Sequence, residues 1–165
     1  MSKLLYHHKW MDLCANKDDE AFIHMQDAVL MIPFTADKEF LLIEEQSIAY
    51  GDTMLTLPTG GIESDETPKL AANRELEEEI GYKAGKLELI GILHPSVKYA
   101  QWRYWVYLAR ELVEHKAKGD EKTPITTKPT PQADISWLVD MGKIKDSTAI
   151  AALFMAQKHL NTGQA

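Results

Sequence analysis

From Arg74 to Glu79 the chain reads Arg-Glu-Leu-Glu-Glu-Glu. On a helical wheel turning about 100° per residue, with Glu75 at the origin, Glu79 falls at about 40° and Glu78 at about 300°, so three carboxylates share one narrow arc. Ala72, Leu76 and Ile80 lie beside that arc and form the face that packs, while Glu77 is expected to point into solvent. Like charges at these spacings cost ~0.2–0.5 kcal/mol each, and beside a buried face they have little room to spread. A cation would relieve them. An all-oxygen set suits Mg²⁺ or Mn²⁺ better than Zn²⁺. Arg74 reaches Glu78 at i,i+4 and can orient one carboxylate while the others face the metal. A solvated helix face is the plainer explanation for any one glutamate pair, so the surroundings must decide.

The elements around the cluster favour the chemical reading. A helix is expected from about Thr67 to Ile80, with Pro68 in its first turn and Gly81 as its stop. A short strand, Met54 to Leu57, precedes it and is stopped by Pro58-Thr59-Gly60-Gly61. Upstream, Lys9 to Cys14 and Glu20 to His24 read as a hairpin around Asn16-Lys17-Asp18-Asp19, and Ala28 to Pro33 and Glu39 to Glu44 as buried strands. Downstream, Leu87 to Leu93, Trp102 to Ala109 and Ile135 to Leu138 are expected strands. The polar stretch Glu114 to Ala133, with Pro124, Pro129 and Pro131, is expected to be a long loop. A last helix begins at a cap, Asp146 or Ser147, and shows Ile150, Leu153, Phe154 and Leu160 as its apolar face. Strands first with helices interspersed give an α/β chain with a mixed sheet.

Composition bounds the partners. The 165 residues are 45% apolar, enough for one real core, and the net charge of −7 has the wrong sign for holding nucleic acid through its phosphates. The single cysteine, Cys14, excludes an intrachain disulfide and reads as a packing residue. Polar Tyr6, His7 and His8 interrupt the start before an export signal can form, and Ala28 to Phe34 is far too short for a membrane helix. The expectation is a cytoplasmic protein with no membrane and no nucleic-acid partner. The histidines His7, His8, His24, His94, His115 and His159 show no ligand spacing and read as surface or packing residues.

Gly60 to Tyr82, GGIESDETPKLAANRELEEEIGY, has a glycine, five residues, a glutamate, seven residues, then Arg-Glu-apolar-any-Glu-Glu-any-Gly-apolar. This resembles the full signature of the Nudix hydrolases, with Gly60, Glu66, Arg74, Glu75, Leu76, Glu78, Glu79, Gly81 and Tyr82 on the pattern. At ordinary residue usage the fixed positions coincide by chance on the order of 10⁻⁹ to 10⁻⁸ per register. The resemblance implies a Nudix α/β/α sandwich with a mixed β-sheet, binding divalent metal and hydrolysing a nucleoside diphosphate linked to another group. It implies Glu75, Glu78 and Glu79 as metal ligands, with a backbone carbonyl from Thr59 or Gly60 and with Arg74 in the catalytic set. Glu66 is expected to brace the loop. Metals bridging pyrophosphate oxygens neutralise the charge that repels a nucleophile, position water and stabilise the leaving phosphate.

Features outside this box are similar to the ADP-ribose and ADP-compound pyrophosphatases. They are Leu57-Pro58-Thr59-Gly60, Pro95, the segment Gly142 to Asp146 before an apolar helix, and an N-terminal hairpin of the kind through which relatives form intertwined dimers. Two departures concern the substrate. Ser47 follows Glu44-Glu45-Gln46 where relatives carry arginine, and Thr56 stands where they carry glutamate. In this branch the general base comes from a late loop, which makes Glu121 the candidate, with Asp120 and Glu114 behind it. Trp10 is the candidate to stack on adenine, if a partner's hairpin overhangs the site, and Arg103 the candidate to meet a phosphate. Both have plainer readings as an exposed aromatic and an exposed strand arginine.

The sequence therefore predicts an N-terminal β-hairpin segment over residues 1–26, suited to forming a homodimer, and a Nudix domain over 27–165. The expected reaction is Mg²⁺-dependent cleavage, with Mn²⁺ as a substitute, of a small-molecule nucleoside diphosphate derivative. ADP-ribose, giving AMP and ribose 5-phosphate, comes first. Diadenosine polyphosphates, NADH or nucleotide sugars are the alternative substrates, and a non-catalytic nucleotide sensor is the alternative function.

Overall fold

The chain, seen in a computed structural model that describes residues 2–115 and 125–163, opens with β1 (Lys3–His8), β2 (Met11–Ala15) and β3 (Ala21–Met25). β2 and β3 form the expected hairpin, with Met11 opposite Met25 and Ala15 opposite Ala21. Asn16 builds its turn: the side-chain oxygen accepts from the backbone N–H groups of Asp18 and Glu20. β1, antiparallel to β2, was not foreseen from the sequence. All of its residues are exposed, so no alternation of buried and exposed side chains marks it.

β4 (Ala28–Pro33) and β5 (Glu39–Gln46) are nearly continuous apolar runs because both of their faces are covered. β6 (Thr53–Thr56), β7 (Thr59–Gly61), α1 (Pro68–Glu75) and a π turn (Leu76–Ile80) follow, then β8 (Tyr82–Leu93), β9 (Ala100–Gln101) and β10 (Tyr104–Glu114). The described chain closes with β11 (Thr126–Pro131), α2 (Ile135–Asp140) and α3 (Ser147–Asn161). One sheet has the order β7-β4-β10-β8, with β10 parallel to β4 and antiparallel to β8. A second runs β11-β5-β6, and a third runs β1-β2-β3-β9.

Alternate residues of β4 serve two cores. Leu30 and Ile32 join Phe40, Leu42, Val106 and Leu108 under α2 and α3, where Ile135, Ala149, Ala152 and Leu153 are buried. Val29 and Met31 join Leu41, Ile43 and Tyr107 under α1, where Ala71, Ala72, Leu76 and Ile80 are buried. Helices on both faces of mixed sheets make the α/β/α sandwich. α3 sits close on the sheet: a Cβ built on Gly91 would lie 2.2 Å from Met155 Cε.

Several expectations are corrected. Ile135 to Leu138 is helical, because a short apolar run fits a helix turn as well as a strand and only Ile135 is buried. The expected loop from Glu114 to Ala133 contains β11, whose Pro129 and Pro131 are tolerated because it is an edge strand beside β5. β8 begins at Tyr82 rather than Leu87, and β10 begins at Tyr104, leaving Trp102 outside it. α3 is capped by Asp146, which accepts from Thr148 N–H at 2.8 Å, but Phe154 is 68% exposed and the buried stripe is made of alanines with Leu153. No helix among the described residues is long and apolar enough to cross a membrane.

Candidate active site

β7 hydrogen-bonds along β4, pairing Thr59 with Leu30, Gly60 with Val29 and Gly61 with Ala28. The chain then loops to α1, where Thr67 caps the helix by accepting from Leu70 N–H and Pro68 fills the first turn. Asn73 pins the helix to β8: its side-chain oxygen accepts from Ala84 N–H at 2.9 Å. At Leu76 the α-helix becomes a π turn that ends on Gly81, whose N–H reaches back to Leu76 O and whose φ of 75° is left-handed. As expected, Ala72, Leu76 and Ile80 are buried.

Three carboxylates around this helix, Glu66, Glu75 and Glu78, converge on Arg74. Its Nη2 lies 2.6 Å from Glu66 Oε1 and its Nε 3.2 Å from Glu66 Oε2, a two-pronged contact. Nη1 donates to Glu75 Oε1 at 2.7 Å and to Glu78 Oε2 at 3.1 Å, and Nη2 donates to Gly61 O at 3.0 Å. Glu66 also accepts from Glu63 N–H at 2.9 Å, so it closes the loop before α1. The Arg74 hydrogen bond holds the Glu66 carboxyl below the usual range, and Glu66 in turn keeps the guanidinium protonated. Burial pushes the Glu75 carboxyl up to about 7, against the pull of Arg74. Glu75 lies over the β7 backbone so closely that a Cβ on Gly60 would stand 1.9 Å from its Cδ.

These residues fit a divalent cation. Glu75 and Glu78 already share one positive group, Arg74 Nη1, so their oxygens face a common point. The donors are oxygens throughout, which suits Mg²⁺ or Mn²⁺. Among the described residues no three His, Cys, Asp or Glu side chains stand in a ready-made metal cluster, and the Arg74 guanidinium stands between Glu75 and Glu78. A cation that binds there must compete with Arg74. Glu77 departs from expectation. Its side chain is only 15% exposed and is paired with Lys83 Nζ at 3.4 Å and His115 Nδ1 at 2.8 Å. Helical spacing cannot reveal this contact, since both partners lie outside the helix.

Trp10 is 61% exposed, with Lys9 Nζ 4.0 Å above its ring. It lines a hollow of about 510 Å³ together with Met25, Tyr104 and Thr59 to Gly61. The hairpin of the same chain therefore reaches the box glycines. Arg103 lines an adjoining hollow of about 540 Å³ with His94 and Trp102, which shares His24, Met25 and Gln26 with the first. Asp27 Oδ2 accepts from its Nε at 2.9 Å and its Nη2 at 2.6 Å. Its charge is thus already matched, and the structure does not bring it to the carboxylates. Glu114 ends β10 opposite Tyr82. Glu121 and Asp120 lie outside the described residues. Ser47 is used in the β5–β6 turn, donating its N–H to Asp52 O and accepting from Tyr50 N–H. Thr56 donates to Asp146 Oδ2 at 2.7 Å.

A family model described as the NUDIX domain matches residues 24–138. The ADP compounds hydrolase NudE of Escherichia coli (strain K12) is 27% identical over 135 residues, which cover 82% of this chain and 72% of the relative. The ADP-ribose pyrophosphatase of Bacillus subtilis (strain 168) is 31% identical over 134 residues, 79% of this chain and 72% of the relative. A crystal structure of an ADP compounds hydrolase superposes with a TM-score of 0.85 at 22% identity, covering 100% of this chain and 95% of that one, a likeness of fold.

Proposed function

This chain belongs to the Nudix family and is a hydrolase of pyrophosphate bonds, and we propose that it cuts an ADP-linked small molecule with the help of Mg²⁺. ADP-ribose is the first candidate. One water adds across the P–O–P bridge, one phosphate stays with each half, and the products are AMP and ribose 5-phosphate. The observation that carries this reading is the pair of carboxylates, Glu75 and Glu78, turned onto one cationic point beside Gly60. The relatives named for ADP compounds and ADP-ribose support the substrate class.

Glu75, Glu78 and Glu79 would hold the metal, with a carbonyl from Thr59 or Gly60. Bound there, the ion supplies charge neutralisation for the diphosphate and lowers the pKa of water. Glu66 holds Arg74, and Arg74 keeps Glu75 and Glu78 from turning into solvent. Trp10 offers a flat apolar surface for a base in the hollow next to Gly60. Glu121 is the proposed general base. The exposed Leu4, Leu5 and Tyr6 of β1 support an N-terminal segment that joins two copies into a homodimer.

A second substrate reading rests on Ser47. Ser47, held in the β5–β6 turn by Tyr50 N–H, stands where relatives carry arginine, which keeps diadenosine polyphosphates, NADH or nucleotide sugars as alternative substrates. A panel of these compounds with Mg²⁺, followed by chromatography of the products, tests both. Release of AMP from ADP-ribose, abolished in Glu79→Gln, is the expected result. Turnover of none of the panel would overturn the proposal.

A further inference from the structure

The π turn from Leu76 to Ile80 carries three successive carboxylates, Glu77 to Glu79. π geometry is rare and depends on its context, and neighbouring like charges work against it. Leu76 and Ile80 fasten the two ends of the turn to the core, and the three glutamates between them are only partly buried. The outer side has its own fastening. Glu77 Oε2 lies 2.8 Å from His115 Nδ1, and Glu77 Oε1 lies 3.4 Å from Lys83 Nζ. Lys83 is at the start of β8 and His115 follows the last residue of β10, and these two strands pair there, Glu114 opposite Tyr82. His115 also donates its backbone N–H to Gly81 O at 2.8 Å. Both partners of Glu77 therefore stand on one end of one sheet, next to the glycine that stops the turn.

Partly exposed ion pairs add little to stability. Lys83 and His115 are more than half exposed and Glu77 is sheltered, so the effect of this contact lies in orientation. We propose that Glu77, clasped by Lys83 and His115, is a positioning residue that sets the rotation of the π turn and so aims Glu78 and Glu79 at the metal. This rests on the metal site proposed above.

Charge and position make opposite predictions for this clasp. Lys83 is a cation close to the carboxylates, and removing it strengthens attraction for a divalent ion if only Coulomb forces matter. If Lys83 holds the turn, its removal weakens binding. Mn²⁺ titrated into the full chain, with free Mn²⁺ followed by electron paramagnetic resonance, separates the two. We expect Lys83→Met and His115→Ala each to weaken Mn²⁺ binding roughly tenfold, the size typical of losing a group that orients a metal ligand. Glu77→Ala should do the same, and Glu77→Gln, whose single amide oxygen accepts from Lys83 while its NH2 donates to Nδ1 of a neutral His115, should recover most of the affinity although its charge is gone. Should Glu77→Ala fail to fold, the two exposed partners decide. Unchanged or tighter binding in Lys83→Met and His115→Ala, with Glu79→Gln weakened, overturns the clasp alone. Wild-type affinity in Glu79→Gln, or a wild-type chain that binds no Mn²⁺, overturns the metal site and the clasp with it.

Discussion

Gly60 and Glu75 are fitted to one another: the place a side chain would take on Gly60 is filled by the Glu75 carboxyl, 1.9 Å from an ideal Cβ. Gly60 is held in β7 by pairing with Val29 of β4, so the strand cannot move aside. The glutamate, on a flexible side chain, is the partner that gives way. Gly60→Ala should therefore fold, losing about 1–3 kcal/mol as overpacked sites do, while Glu75 is driven off its seat. The expected outcome is a modest drop in melting temperature with at least about a hundredfold loss of Mg²⁺-dependent turnover. A variant with wild-type kcat would show that Glu75 is not needed where it stands.

The buried Glu75 carboxyl predicts a pH dependence. Burial raises it from the ordinary 4.5 to about 7, so between those values the folded chain holds a proton that the unfolded chain has released. This contribution makes stability fall as pH rises from 4.5 to 7. Glu66 acts in the other direction: its carboxyl is lowered by Arg74, so its contribution is present above pH 4.5 and is lost in acid. Thermal melts without metal should show wild type losing ground to Glu75→Gln between pH 5 and 7. A difference that stays flat across that range would remove the assignment.

Metal binding should show the same proton. A cation that takes Glu75 as a ligand needs the carboxylate, so below about pH 7 each binding event releases a proton and affinity falls up to about tenfold per pH unit. Calorimetry in two buffers of different ionisation enthalpy measures the release. Equal heats at pH 6 in both buffers would contradict it.

How far the sequence carried this site depends on distance along the chain. Ala72, Leu76 and Ile80 were readable as the packing face because helical spacing is local, and the Arg74–Glu78 contact follows from the same rule. The tie of Glu77 to His115 spans strands whose pairing no local pattern reveals. β11 was hidden because prolines argue against a strand unless it is known to lie at an edge. α2 was missed because its short apolar run has no period long enough to separate helix from strand. β1 was missed because it buries nothing.

Arg74 holds three carboxylates at once, and its loss should be felt in stability as well as turnover. Arg74→Ala leaves Glu66, Glu75 and Glu78 facing one another without their shared cation. Arg74 is 27% and Glu78 24% exposed, and Glu66 and Glu75 13%, so the cost, about 2–3 kcal/mol, falls below that of breaking a fully buried pair. Arg74→Lys keeps the charge but loses the fork that meets Glu66 through two nitrogens, and should recover about half of this. Mg²⁺ should raise the melting temperature of Arg74→Ala more than that of wild type, since the ion then replaces the missing positive charge without competition. Equal shifts in the two proteins would mean that Arg74 and the metal do not share a place.

Trp10 tests the substrate end. The indole stands in the hollow that reaches Thr59 to Gly61, with Lys9 above one face. If the other face receives a base, Trp10→Ala removes binding energy that is the same in the ground state and the transition state, so KM rises while kcat is kept. Stacking on a base is worth about 1–3 kcal/mol, or roughly 5- to 150-fold in KM. Trp10→Phe keeps a flat ring and should lose much less. The rise should be present for every adenine-containing substrate and absent for inorganic pyrophosphate, which has no base to stack. A KM for ADP-ribose that does not change in Trp10→Ala would leave the indole as a surface residue of the hairpin turn.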